Sequence, residues 1–482
     1  MKKILLILMT ATVLVSCEDF LLEEPKGKLA GNEILQNSAE GLDLALNGAY
    51  VHLTGQNWSS GFNTMAQQSV GMGADDITTN TWDADNMAFD KLSRTNTQGR
   101  MDQIWRGCYG AIQSTTLVIA NYPSSKDAAI NVDPIAGEAH FLRAFSYYWL
   151  VRLWGNIPLF ETITDYQVDP KTITKSSPAE VYNVIVSDLE MAISKLPNSK
   201  RDPGRPNKGS AKALLADVYL TMAGWPLKDN SHLSEAASLA SEIMAEKGAY
   251  GFDLVADFAS LWVNGANSVG SPEEVFAFHF NGAADWTTGS SLYGQSNDLN
   301  AGGWTDAFPE LYFFNSFPAG ARHDATFMTV INGAPWQDHW NGHPGYKKFA
   351  DASRGWVTSA SHMMIRYAHV LLIYAEASAR ANNTVSAESY AAINAVRLRA
   401  GLADLSGLSI QQFIDAVINE RKWEFAGEGT TRWFDLIRLE KVAEANANKD
   451  PNDHQIVGST ATDNYYLDIP YSETVLMPGL GK

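Results

Sequence analysis

The chain has 482 residues, 45% of them hydrophobic, which supports either one large layered core or two to three domains. A formal net charge of −18 excludes the electropositive surface that nucleic acid or anionic lipid requires, so neither is expected as a partner. Cysteines number only two, Cys17 and Cys108, too few for a disulfide framework, and stability must come from packing.

In chain order, Lys2-Lys3 precede an apolar run from Ile4 to Val15, which ends in Leu14-Val15-Ser16-Cys17. The run is too short for a bilayer of about 30 Å, which takes ~20 apolar residues, and reads as an export signal. A small residue followed by cysteine at the cleavage point predicts removal of residues 1–16 and lipidation of Cys17. A multiply acylated cysteine anchors firmly, so contact with the membrane is expected through the lipid alone. Residues 17–36 form a tether, acidic at Glu18, Asp19, Glu23 and Glu24 and broken by Pro25 and Gly27.

Helical periodicity then dominates. Ser38 is a candidate N-cap for a helix carrying Leu42, Ala45, Leu46 and Ala49. Residues 101–121 place Ile104, Cys108, Ala111 and Ile112 on one stripe, which buries the Cys108 thiol. Residues 138–153 place Phe141, Leu142, Phe145, Tyr148 and Trp149 likewise, stopped by Gly155 and Pro158. Ser177-Pro178-Ala179-Glu180 is a capping box with proline at the first helical position, opening a helix to about 196. Helices at 209–223 and 233–247 follow, with small residues where such a pair would touch.

Region 249–360 reads differently. Val275–Phe280 has strand periodicity, with Phe276, Phe278 and Phe280 on one side, amid long stretches rich in Gly, Asn, Ser, Asp and Trp. Loops this long inside a folded chain are commonly functional. Helices return at 361–381, 386–400, 409–426 and 431–446.

Five segments, in order, resemble the SusD/RagB family of surface lipoproteins. They are Cys17-Glu18-Asp19-Phe20-Leu21; residues 139–159, with His140-Phe141-Leu142-Arg143 and Trp154-Gly155-Asn156-Ile157-Pro158; residues 365–377, with Arg366-Tyr367-Ala368-His369; Glu420-Arg421-Lys422-Trp423-Glu424 with Arg432-Trp433-Phe434-Asp435; and Tyr466-Leu467-Asp468-Ile469-Pro470. His369 stands where the family usually has aspartate. The resemblance implies a mainly α fold with four tetratricopeptide-like helix pairs packed on an irregular, loop-rich half. The SusD-like domain would run over 37–482, its helical scaffold at about 37–248 and 361–446 and its loop-rich insertion at about 249–360. It also implies a non-catalytic protein at the outer face of the outer membrane. There it would capture oligosaccharide and deliver it to a SusC-like TonB-dependent transporter. Peptide capture and a surface glycosidase are the alternatives.

Arg143, Arg152, Glu420, Arg421, Glu424 and Arg432 have the spacing of ion pairs that lock helices together. Trp105, Trp149, Trp154, Trp423 and Trp433 belong to apolar faces and are expected in the core. Trp82, Trp286, Trp304, Trp336, Trp340 and Trp356 lie instead in polar stretches with no apolar stripe to join. An aromatic platform beside amide and carboxylate groups suits a sugar ring, which presents C–H groups on a face and hydroxyls around its edge. Trp82, Asp83, Asn86, Trp286, Tyr293, Asn297, Trp304 and Trp336 are therefore the candidate ligand-binding residues. No Gly-x-Ser-x-Gly, phosphate-binding loop or His-Glu-x-x-His is present. His339 and His343 are four apart, but Pro344 spoils a helical metal pair. Asp83-x-Asp85-Asn86 lacks the glycine and distal glutamate of a calcium loop, so no cofactor is expected and structural calcium stays an option without a motif. Asp75-Asp76 and Glu273-Glu274 are sequence neighbours, whereas glycosidase carboxyls face each other across a cleft.

Overall fold

Ser38 opens the first helix as its sequence predicts, its hydroxyl accepting from the Gly41 N–H at 3.0 Å. The computed structural model describes residues 35, 38–55, 61–125, 131–262, 269–280, 305–348 and 361–481. The lipidation site Cys17 and its tether lie outside them.

Among the described residues the main helices are α1 (Ala39–Thr54), α2 (Thr64–Val70), α3 (Ala84–Asp90), α4 (Gly99–Asn121), α5 (Asp133–Trp154), α6 (Pro178–Lys195), α7 (Lys208–Met222) and α8 (Leu233–Ala245). After the loop-rich region come α9 (Tyr367–Asn382), α10 (Ala387–Arg399), α11 (Ile410–Glu424), α12 (Thr431–Arg438), α13 (Val442–Asn446) and α14 (Tyr471–Leu476). α1 packs on α4, α5 on α6, α7 on α8 and α9 on α10, each pair also touching the next. This stacking of four pairs is the arrangement that the tetratricopeptide-like reading implies. The Ser177–Glu180 box caps α6 in both directions. Among the described residues no helix is long and apolar enough to cross a membrane.

Three expectations are corrected. Residues 362–366 are a strand, β2 (His362–Arg366), antiparallel to β1 (Glu274–Phe278), and not the first turn of a helix. The run Met363-Met364-Ile365 is apolar enough for either state, and pairing with β1 decides it. β1 itself is buried on both faces, where sequence periodicity suggested one. The helix foreseen at 431–446 breaks into α12 and α13, because Glu440 adopts φ +55° between them.

The aromatic core is as expected: Trp105, Trp149, Trp154 and Trp433 are buried, Trp423 packs against them, and Cys108 is fully buried. Arg143 forks onto Asp188 at 2.7 and 2.8 Å, and Arg152 lies between the rings of Tyr148 and Phe434, 3.6 Å from each centroid. A cavity of about 60 Å³ beside Arg152, His369, Arg421 and Asp435 has room for a few waters. His369, in the unusual position, accepts the Arg366 N–H at 3.0 Å and stacks on Phe425. Burial and the nearby guanidiniums of Arg421 and Arg366 hold its imidazole well below the ordinary range, which favours the neutral acceptor seen. Gly155 ends α5 at φ +67°, where a Cβ would meet the Tyr466 ring at 2.4 Å, so the C-terminal segment closes directly over that turn.

Arg366, fully buried at the β2–α9 junction, holds the two halves together. Its guanidinium meets Glu273, Glu424 and Glu428, each at 2.8 Å. Arg399 also pairs with Glu273 and Glu424. Arg322 reaches Glu420 at 2.5 Å and Glu424 at 3.0 Å, Arg397 reaches Glu420 at 3.1 Å, and Lys348 reaches Glu428 at 2.7 Å. Five cations thus face four carboxylates, a near balance that makes their burial tolerable. Burial alone would raise the Glu424 carboxyl; Arg399, Arg366 and Arg322 instead hold it well below the usual carboxylate range. Removing one partner strands the others. Arg366→Ala should therefore destabilise the protein by on the order of 3–5 kcal/mol in urea unfolding, and Arg366→Lys should recover only part, since an ammonium cannot fork.

Acid should weaken the fold in a definable window. Burial raises Glu274 and Asp75, but His279 and Lys200 on the first, and Arg432 and Lys422 on the second, bring both down to about 2. The folded carboxyls bind protons less well than the unfolded ones, so their contribution is complete above the unfolded values near 4 and is lost as pH falls toward 2. Melting temperatures should therefore fall between about pH 4 and pH 2, and Arg432→Ala should make that fall shallower by removing Asp75's share.

Candidate functional site

Segment 78–83 is fixed by a short zipper with 305–308. The Thr78 N–H donates to the Phe308 carbonyl at 2.8 Å, and Phe308 returns the bond at 3.1 Å. The Thr79 hydroxyl donates to the Asp306 carbonyl at 2.6 Å. The Asn80 side chain then turns the chain: its oxygen accepts from the Trp82 N–H at 3.0 Å and the Asp83 N–H at 3.3 Å, the self-bonding that makes asparagine a turn residue. Its amide nitrogen donates to the Thr305 carbonyl at 2.9 Å and to Asp306 Oδ1 at 2.5 Å. The same Oδ1 accepts the Trp82 indole N–H at 2.7 Å.

Trp82 is 53% exposed and stacks on Trp340, 48% exposed, with centroids 4.8 Å apart and planes at 27°. Single exposed leucines or valines are ordinary; two half-exposed tryptophans stacked together are not. Trp340 sits in a loop that is moored on both sides. His339 Nδ1 lies 2.7 Å from Asn341 Oδ1, and His343 Nε2 lies 2.8 Å from buried Asp453 while its ring packs on Phe308. The two histidines are thus structural. No metal-binding group of three or more His, Cys, Asp or Glu occurs among the described residues.

The candidate residues divide on inspection. Trp82 is on the exposed platform. Asp83 caps α3 through the Asn86 N–H at 3.0 Å and pairs with Arg100 at 3.1 Å, at the platform's edge. Asn86, expected on the ligand face, is fully buried, its side chain bonding the Ser69 hydroxyl at 2.6 Å and the Thr79 hydroxyl at 3.4 Å. It holds α2 to α3 from inside. Trp336 is half-buried and packs edge-on against Phe314, a loop-pinning role. Trp286, Tyr293, Asn297 and Trp304 lie outside the described residues.

Asp306 went unrecognised because its importance lies in contacts spanning more than 220 residues of sequence. Asp306 is a lone acid in a polar stretch, and nothing local marks it. Burial raises its carboxyl to about 6; the Asn80 and Trp82 donors work against that, nearby Asp83 adds to it, and Arg100 opposes it. A carboxyl titrating near neutrality in a surface site invites a catalytic reading. Here Oδ1 is occupied by two donors, and the nearby Asp83 is paired with Arg100. The carboxyl serves to hold an indole ring in place.

Two family models match the sequence. Residues 332–482 fit the SusD family, and residues 19–220 fit the family described as starch-binding associating with outer membrane. The chain belongs to the SusD/RagB family. SusD-like protein P2 of Formosa agariphila is 27% identical over 88% of each chain, and a SusD-like protein of Bacteroides ovatus is 25% identical over 90% of this chain and 82% of that one. Solved structures share the fold. A SusD homologue from Bacteroides thetaiotaomicron superposes with a TM-score of 0.81 at 23% identity, covering 93% of this chain and 97% of the other. For surface glycan-binding protein A from Bacteroides uniformis the values are 0.74 and 21%, over 92% and 98%. For a laminarin-binding SusD-like protein they are 0.72 and 22%, over the same shares.

The SusD-like platform should respond to pH through Asp306. Above about pH 6 the carboxylate accepts both donors; below it the neutral carboxyl is a weaker acceptor, because a charged acceptor makes the stronger bond. Tryptophan fluorescence should therefore titrate with a midpoint near pH 6. Asp306→Asn and Trp82→Phe should abolish that transition, whereas His454→Gln, which removes the imidazole 3.2 Å from the Asn80 carbonyl, should leave it.

Proposed function

We propose that this chain is a non-catalytic surface lipoprotein, anchored through Cys17, that captures oligosaccharide on the Trp82–Trp340 platform. The observation that carries the proposal is the half-exposed stacked pair itself, with one ring tied by its indole N–H to a buried carboxylate. Each indole covers one face of the other and leaves its outer face for the C–H side of a sugar ring. Asp83, Arg100 and Asn341 stand near to meet hydroxyls. Family membership supports the ligand class, since relatives of this fold are described as starch-binding, laminarin-binding and glycan-binding. Delivery to a SusC-like TonB-dependent transporter completes the proposed role, with the family resemblance as its support.

Peptide capture would draw on an open strand edge for backbone pairing. β1 and β2 pair with each other in the interior, so the aromatic surface favours sugar.

Titration calorimetry against a panel of oligosaccharides, including starch- and laminarin-derived chains, tests the reading. Trp82→Ala and Trp340→Ala should each weaken binding at least tenfold, about 1.4 kcal/mol, with thermal stability little changed because both rings are half in solvent. If no glycan binds, or neither substitution matters, the platform is not the site. Cross-linking to the transporter in intact cells, lost on Cys17→Ala, tests anchoring and partnership together.

A further inference from the structure

A second aromatic cleft lies away from the platform. α4 lines it with Trp105, Arg106, Tyr109 and Gln113, the segment after α5 adds Phe160 and Tyr166, and the C-terminal region adds Glu473 and Met477. Its volume is about 250 Å³. A cavity of ~150 Å³ takes a benzene ring, so this one has room for a single six-membered ring with substituents.

The walls are built before any ligand arrives. The Tyr109 hydroxyl donates to the Pro158 carbonyl at 2.8 Å. Phe160 is nailed down by Tyr147, whose hydroxyl accepts the Phe160 N–H at 2.7 Å. Tyr166 stacks on Phe160 with centroids 4.9 Å apart and planes at 19°, and Tyr109 meets Phe160 edge-on. The Ser472 hydroxyl donates to Asp102 at 2.7 Å and fixes α14 against α4.

The polar rim holds one cation and two acids. Arg106, 59% exposed, pairs with Asp102 at 3.0 Å and approaches Glu473 at 3.8 Å, and Gln113 is exposed with both a donor and an acceptor. One guanidinium faces two carboxylates, so no cationic charge is left over to call for an anionic ligand. Aromatic walls under a rim of amide, guanidinium and carboxyl suit a ring that is apolar on its faces and hydroxylated at its edge.

The geometry points to this cleft as a second, independent carbohydrate site that takes one saccharide ring. The assignment of ligand class rests on the saccharide reading of the platform; the cleft itself does not. Arg100, which meets the platform at Asp83, and Tyr109, in the cleft, are nine residues apart on α4. That is about 14 Å along the helix and about half a turn round it, so one ring cannot serve both sites.

The test uses the full chain with the platform removed, as Trp82→Ala/Trp340→Ala, probed with starch- and laminarin-derived trisaccharides by saturation-transfer NMR and tyrosine fluorescence. The double variant should retain weak saturable binding that falls at least tenfold with Gln113→Ala or Arg106→Ala. Both of those positions are exposed, so folding is preserved, and melting curves confirm it. If the double variant binds nothing while the wild type binds, the cleft proposal is overturned and the platform reading stands. If the double variant binds like the wild type and the cleft variants abolish it, the cleft stands and the platform reading falls. If the double variant binds but neither Gln113→Ala nor Arg106→Ala changes that binding, the cleft is not the site. If the wild type binds no member of the panel, the saccharide assignment of the cleft is overturned.

Discussion

The buried guanidinium of Arg366 is the constraint around which the rest is arranged. It stands where a strand of the irregular half becomes a helix of the scaffold, and its three carboxylate partners come from 273, 424 and 428. Burying so many charges is costly, and apolar residues of the same volume would often do as well or better for stability. What an ion network adds is directionality: each guanidinium donates to carboxylates only in its plane. The helical stack and the loop-rich half are thereby set in a single relative position, while hydrophobic contact alone would tolerate small slips.

That position matters because the ligand platform straddles the same division. Trp82 belongs to the scaffold side and Asp306 and Trp340 to the loop-rich region, and the zipper of 78–80 with 305–308 joins them. Asp75 and Asp76, directly before this segment, are bound to Arg432 and to the Gly427 N–H, next to the ion network. A chain of polar contacts therefore runs from the interior to the exposed rings, and the surface site inherits its geometry from the core.

Much of the scaffold was legible because its signals are local. Ser38 and the Ser177–Glu180 box are caps readable within four residues, and the stripes of 101–121 and 138–153 follow helical period. Residues 362–366 were misread because an apolar run next to a helix carries no mark of the strand it pairs with 90 residues earlier. The break at Glu440 has no glycine or proline to announce it. At the site, polar surroundings correctly set Trp82 and Trp340 apart from the core tryptophans, but they set Trp336 apart equally, and only packing against Phe314 distinguishes it. Asn86 looked like a ligand residue for its neighbours' sake; its burial beneath α3 follows from helical phase, which a polar stretch hides. Asp306 was invisible, since its partners are brought to it by the fold.

The bond from the Trp82 indole to Asp306 also bears on rate. A ring already held in its working orientation loses little conformational freedom when a ligand arrives, so association carries little ordering cost. Stacking on a flat ring covers a ligand on one side only, which favours brief residence. For a protein proposed to hand its cargo onward, quick release is as useful as capture, and a fixed, open aromatic surface provides both.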